Sequence, residues 1–366
     1  MASPQGLAPS TRTLLFLSAA VVVLAGVHAS REVLAPLFLA AVLVIIVHPI
    51  RHPLEHRGWH RAAATTVVIV VVYLILLVLI AMLTFAGIQF AGLVQEYLAE
   101  LQDAVGGATS WLATLGLDQD AVSSVTDALQ PSQLLGVATS ISGAALGVAT
   151  TLFVVVTYVI FMSVDAARYD GAHAQFGATQ SGVLRRATTF NIGVRRYFVV
   201  SASFGAVVAI IDGLALWALG VPAPAVWAIL AFVTNFIPNI GFVIGVVPPT
   251  ILALVVGGWP LALAVIAVYS AVNVVLQVLV QPKFVADAVN ITLTLSFVSV
   301  IFWTFVIGPL GAILAVPLTL LTRAVLLQGG PETVWYSWLS GEDLPKPKPD
   351  PSPDPEPAVV EGPAAD

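Results

Sequence analysis

The sequence predicts an all-α, polytopic helical membrane protein, and three observations carry that prediction. The 366 residues are 58% hydrophobic and only 9% charged, whereas a soluble domain carries about 25% charged residues. The mean hydropathy is +0.98. Apolar runs long enough to cross a bilayer as helices, about 20 residues each, recur along the chain. Six read as full spans, at 13–29, 33–48, 63–92, 137–164, 197–219 and 260–281. Two more, 222–257 and 293–327, are interrupted by Pro and Gly and read as broken, re-entrant hairpins, roughly eight transmembrane segments by conventional count.

The first run follows Arg12 and ends at Val27-His28-Ala29, a loose fit to a signal-peptide cleavage site. A second apolar run begins almost at once, so the first is expected to be an uncleaved span. Between spans two and three lie Arg51, Arg57 and Arg61. His48, His52, His56 and His60 recur there every four residues, the spacing of a metal face on a helix. Pro49 and Pro53 spoil that helix, so the segment reads as a basic juxtamembrane loop. Spans three and four exceed bilayer thickness and should tilt or project.

Lys and Arg mark the loops that stay in the cytoplasm. None occurs between Arg61 and Arg168, while Glu96, Glu100, Asp103, Asp118, Asp120 and Asp127 fall within 93–135. That stretch is expected to be an extracytoplasmic helical insertion, with Val94, Leu98, Leu101 and Val105 on one face. Residues 165–196, with Arg168, Arg185, Arg186, Arg195 and Arg196, read as a cytoplasmic basic loop. Lys283, Arg323, Lys346 and Lys348 place the C-terminus inside, and the first hairpin must then enter from outside and the second from inside. The transporter-like domain covers 1–330. In 331–366, Pro alternates with charge, and this tail is expected to be disordered and cytoplasmic.

The broken hairpins carry the functional expectation. Unpaired backbone is tolerated at membrane depth only inside protein or along a wet cavity. Interrupted hydrophobic segments therefore point to a transporter's binding site. The interruptions are Pro238, Gly241, Gly245 and Pro248 in the first hairpin and Gly308, Pro309, Gly311 and Pro317 in the second. Ile244-Gly-Val-Val-Pro248-Pro-Thr250 also lines up with Ile313-Leu-Ala-Val-Pro317-Leu-Thr319. Asn235 and Asn239 flank Pro238 and read either as solute contacts or as hydrogen bonds that steady the break. Asn273, Gln277 and Gln281 share one face of the 260–281 helix and read as a solute lining or as interhelical glue. Asp212 lies inside an apolar span, where a carboxylate is costly unless it faces a partner or water. It reads as a proton or Na⁺ coupling group or as a near-interface residue.

Several classes are excluded or disfavoured. With no cysteine there is no disulfide, thiolate metal site or cysteine nucleophile. No phosphate-binding loop, Gly-x-Ser-x-Gly or His-Glu-x-x-His occurs, so an enzyme, a cofactor and ATP-driven transport by this chain are not expected. No basic stripe suggests nucleic acid. Asn290-Ile-Thr292 fits a glycosylation sequon, but the expected topology places it inside.

Three segments resemble the AI-2E (autoinducer-2 exporter) transporter family: Phe236-Ile-Pro-Asn-Ile-Gly-Phe-Val-Ile-Gly-Val-Val-Pro-Pro249, Gln281-Pro-Lys283 and Gly308-Pro-Leu-Gly-Ala-Ile-Leu-Ala-Val-Pro317. Arg195-Arg-Tyr197 is similar too, and the resemblance covers about residues 10–330. Family members often carry Tyr where this chain has Asn239. The resemblance implies a multi-span inner-membrane permease that forms homo-oligomers. It links the chain to export of the autoinducer-2 signal or to sodium/proton antiport.

The expected function is an energy-coupled permease moving a small polar solute, autoinducer-2-like, or a cation by alternating access. Its site would lie between the two hairpins. A Na⁺/H⁺ antiporter is the alternative within transport. A membrane scaffold is the alternative of another class, though it has no need of mid-membrane amides beside broken helices.

Overall fold

The computed structural model describes residues 9–97, 99–100, 136, 153–166, 171, 175–176, 181–281 and 291–326. Among them regular structure is helical throughout. In chain order the helices are α1 (Pro9–Ala29), α2 (Arg31–Val47), a 3₁₀ turn (His48–Ile50), α3 (Arg51–His56) and α4 (Arg61–Glu96). There follow α5 (Phe153–Ala166), α6 (Ser181–Ala218), α7 (Pro224–Thr234), α8 (Gly241–Val272), α9 (Leu293–Ile307), α10 (Pro309–Ile313) and α11 (Ala315–Leu326). A π-helical stretch, Asn273–Val280, extends α8.

Among the described residues, four helical stretches are long and apolar enough to cross a membrane: Arg31–His56, Arg61–Glu96, Gly182–Ala218 and Gly241–Val280. The 36 residues of α4 extend about 54 Å, well beyond a hydrocarbon core of about 30 Å. Large apolar side chains stand exposed along α4 and α6, among them Leu74, Val78, Ile88, Ile210 and Trp217. Such faces suit lipid tails as solvent.

Three larger apolar cores and a smaller fourth hold the described residues together. One joins α2, α4 and α5 through Val44, Val68, Val72, Val155 and Val159. A second joins α2 and α6 to the last three helices through Val42, Val194, Phe198, Ile307 and Leu314. A third joins the end of α6 to α7 and α8 through Leu216, Trp227, Leu252 and Val265.

Both broken segments fold as hairpins. The 11 residues of α7 reach only about 16 Å, half a bilayer. Residues 235–240 then turn, and α8 runs back. Asn239 turns the chain at φ 65°, the left-handed region that Asn tolerates better than most side chains. A Cβ on Gly241 would collide with the Thr234 carbonyl oxygen, so glycine lets the two arms close on each other. In the second hairpin Gly308 breaks α9 at φ 82°, and a Cβ on Gly311 would collide with the Trp303 carbonyl oxygen. Trp303 Nε1 donates to Thr319 Oγ1 at 3.0 Å, which donates to Ser299 Oγ at 2.8 Å, tying α9 to α11. The hairpins meet where Ile237 and Ile240 pack on Val300, Ala312 and Ala315.

Some expectations need correction. Pro248 and Pro249 do not break α8, whose backbone stays helical through both, although each removes a helical hydrogen bond and sets its ring against the carbonyl one turn back. The one non-helical residue inside α8 is Gly258, at φ 69° and ψ −167°, so the first hairpin ends there. Pro317 sits in the first turn of α11, where no N–H is needed, so it and Pro248 are not structurally equivalent despite the matching sequence around them. Residues 181–196 are not loop but the first turns of α6. Pro49 and Pro53 likewise fall in first turns and leave His48–His56 helical. Most of 93–135, the start of the fourth span, Lys283, Asn290 and the tail lie outside the described residues.

Candidate functional site

The first hairpin lies against α6. Gly213 on α6 meets Ala228 on α7, where an added Cβ would sit 3.0 Å from the Ala228 Cβ. Deeper along α6, the Asn235 amide donates to the Ser201 carbonyl at 2.7 Å. Gly205 leaves room for it, since a Cβ there would stand 3.0 Å from Asn235 Nδ2. Tyr197 donates to the Phe236 carbonyl at 3.1 Å and anchors the turn. Small residues at these contacts allow the close helix approach that membrane interiors favour.

Between the anchor points lies a cavity. Asp212 enters it from α6, Thr234 and Asn235 from the end of α7, and Gly241 and Gly245 from the start of α8. Tyr269, beyond Gly258 in α8, and Asn273 and Gln277, in the π-helical stretch that follows, close it. The space is small, ≈ 20 Å³, room for about one water or one bare cation.

The polar groups inside are incompletely paired. Asp212 is 1% exposed, and its Oδ1 has no hydrogen-bond partner among the described residues. The Tyr269 hydroxyl, on a side chain 3% exposed, has none either. Thr234 Oγ1 donates to the Ala231 carbonyl at 3.3 Å, which leaves its lone pairs free to accept. Pro249 carries no N–H for the Gly245 carbonyl one turn back, so that oxygen lacks its usual helical donor. A buried carboxylate without a partner is expensive. Carboxylate, hydroxyl, amide and carbonyl oxygens are the donors that hard cations prefer. The arrangement can therefore bind a proton or a small monovalent cation.

Six residues expected at the site meet here: Asp212, Asn235, Gly241, Gly245, Asn273 and Gln277. Others do not line it. Asn239 is exposed on the turn, its backbone conformation explaining its presence there. Gln281 lies one step beyond the π-helical stretch. Pro238 shapes the turn, and Pro248 lies inside α8. Gly308, Pro309, Gly311 and Pro317 build the second hairpin, and no residue of 291–326 lines the cavity. This cavity thus lies between the first hairpin and α6, not between the two hairpins. Tyr269 was missed by the sequence reading. It is four residues before Asn273, so the amide stripe extends one step further than its amides.

The sequence pattern of the family described as "AI-2E family transporter" matches residues 17–329. Among curated proteins, the chain is 25% identical over 332 residues to the "AI-2 transport protein TqsA" of Escherichia coli, covering 90% of this chain and 95% of that protein. It is 29% identical over 334 residues to the "Putative transport protein YhhT" of Escherichia coli, covering 87% and 91%. It is 26% identical over 336 residues to a "Putative transport protein" of Haemophilus influenzae, covering 90% and 96%.

Proposed function

This chain belongs to the AI-2E transporter family, an integral membrane family of transport proteins, and on that premise we propose a secondary permease energised at the Asp212 cavity. The observation that carries the reading is the buried carboxylate without a hydrogen-bond partner among the described residues, enclosed with hydroxyl and amide oxygens beside a hairpin turn. A proton or Na⁺ bound at Asp212 offsets the cost of the buried charge. Asn235, Asn273 and Gln277 contact the passenger, and the hairpin moves against α6 to expose the site alternately to each side.

The passenger in this reading is a small polar solute, and the autoinducer-2 signal in one relative's name is a candidate. The cavity's size supports a second reading, Na⁺/H⁺ antiport, because ≈ 20 Å³ seats an ion and not an organic solute. The Lys/Arg distribution supports an inner-membrane topology with both termini cytoplasmic and 93–135 outside. The exposed apolar faces of α4 and α6 meet the lipid bilayer and, in this proposal, further copies in a homo-oligomer.

Proteoliposomes test the proposal. Uptake of a panel of small polar solutes and dye-reported proton flux are measured with and without imposed pH and Na⁺ gradients. Gradient-driven solute uptake supports the permease, and Na⁺-dependent proton flux without solute supports antiport. Neither activity in correctly inserted protein overturns both.

A further inference from the structure

A second cavity, ≈ 430 Å³, opens at the other end of α6. It shares no wall with the Asp212 cavity. Arg195, on its wall, is 17 positions before Asp212, about 25 Å along the helix. The size is that of a ligand pocket. Its lining is mixed: Val44, Ile45 and Ile192 are apolar, while His48, His52, Asp165, Thr188, Asn191 and Arg195 are polar or charged.

The depth of this pocket is set by the sequence. The apolar run of α2 stops at Val47, and His48-Pro49 opens the 3₁₀ turn. The pocket therefore straddles the level at which α2 passes from hydrocarbon to headgroups. Arg195 and Asp165 stand on its walls from different helices, and neither has a salt-bridge partner among the described residues. The His48 and His52 rings meet edge to face, 5.8 Å between centroids. A neutral imidazole still offers one N–H, and a guanidinium offers a planar fork matched to phosphate oxygens. The same cavity thus presents a guanidinium, an imidazole, one carboxylate and apolar side chains.

We propose that this pocket binds a phosphate–ammonium zwitterion, the chemistry of phosphoethanolamine. The phosphate lies toward Arg195 and His52, the ammonium toward Asp165, and carbon substituents lie along Val44, Ile45 and Ile192. A phospholipid headgroup and a soluble phosphoethanolamine both carry this chemistry. Basic pockets between membrane helices at the headgroup level are a known lipid-binding arrangement. The proposal depends on membrane embedding alone and not on the transport reading.

The test uses the full chain reconstituted in vesicles of equal phosphatidylethanolamine and phosphatidylglycerol, then released for native mass spectrometry. Wild type should retain phosphatidylethanolamine at least threefold over phosphatidylglycerol. Arg195→Gln should lose retained phospholipid of both kinds by fivefold or more. Asp165→Asn should keep phospholipid but lose the preference for the ethanolamine headgroup. Soluble phosphoethanolamine, titrated calorimetrically into the delipidated protein, separates the sources. Binding that Arg195→Gln abolishes assigns a free solute, and lipid retention without such binding assigns a headgroup. Unchanged headgroup preference in Asp165→Asn, or equal retention by wild type and Arg195→Gln with no phosphoethanolamine binding, overturns the proposal. Should Arg195→Gln fail to insert, the Asp165→Asn preference decides alone.

Discussion

The side-chain amide of Asn235 donates to the main-chain carbonyl of Ser201 across 2.7 Å, joining the hairpin turn to the middle of α6. That bond holds one wall of the Asp212 cavity against another. Asn235→Ala should cost about 1 kcal/mol, read as a thermal midpoint a few degrees lower in a fixed detergent. Transport should fall by tenfold or more, since the cavity wall is no longer held. Gly205→Val, which fills the space Asn235 needs, should reproduce both effects without touching a polar group. Normal transport in both variants would remove Asn235 from the site.

Asp212→Asn should insert and fold, with thermal stability equal to or above wild type, because a neutral amide removes a buried unpartnered charge. Gradient dependence should disappear while the oligomeric state is unchanged. Tyr269→Phe deletes one unpaired hydroxyl and should leave stability within about 0.5 kcal/mol yet weaken cation dependence several-fold. Flux assays in proteoliposomes at fixed internal ion concentration check both.

The two hairpin glycines should be intolerant. Gly241→Ala and Gly311→Ala each drive a Cβ into a carbonyl oxygen of the opposing arm. Overpacking of backbone against backbone costs about 1–3 kcal/mol or more. Expression and monodispersity on size exclusion should drop for both. Gly92→Ala, with nothing within 4 Å of its added Cβ, is the control that should behave as wild type.

The two prolines should separate. Pro317 occupies the first turn of α11, where its missing N–H costs nothing, so Pro317→Ala should be close to neutral in stability and transport. Pro238 lies in the turn between α7 and α8. Pro238→Ala loosens that turn and should reduce transport several-fold with a midpoint shift of only a few degrees. Equal effects at both positions would show that turn geometry is not what matters.

The topology is tested by single cysteines, since the chain has none. A cysteine at Asp118 should react with an impermeant maleimide from outside intact cells, and one at Lys346 only after permeabilisation. The reverse pattern would invert the proposed orientation.

Much of the fold was legible because the physics of a bilayer is blunt. Long apolar runs become helices, and 222–257 and 293–327 had too many breaks to cross as single ones. Asp212, Asn235, Asn273 and Gln277 were visible because polar side chains in such runs need company. What the sequence hid was local conformation. Asn239 resembles Asn235 in type and neighbourhood, but its left-handed backbone turns it outward. A proline announces a missing donor without saying whether that donor had a partner, which is why Pro248 and Pro317 read as breaks. Tyr269 was overlooked because a tyrosine in an apolar helix reads as bulk, and only the partnerless hydroxyl distinguishes it.

Gly258 has one further consequence. Its φ of 69° with ψ of −167° is a backbone state essentially reserved for glycine. Gly241 and Gly245 precede it, and Tyr269, Asn273 and Gln277 follow it, so two leaves of the same cavity are bound along one spine. A rotation confined to the two torsions of that single residue would part those leaves like the covers of a book, with both helical halves intact.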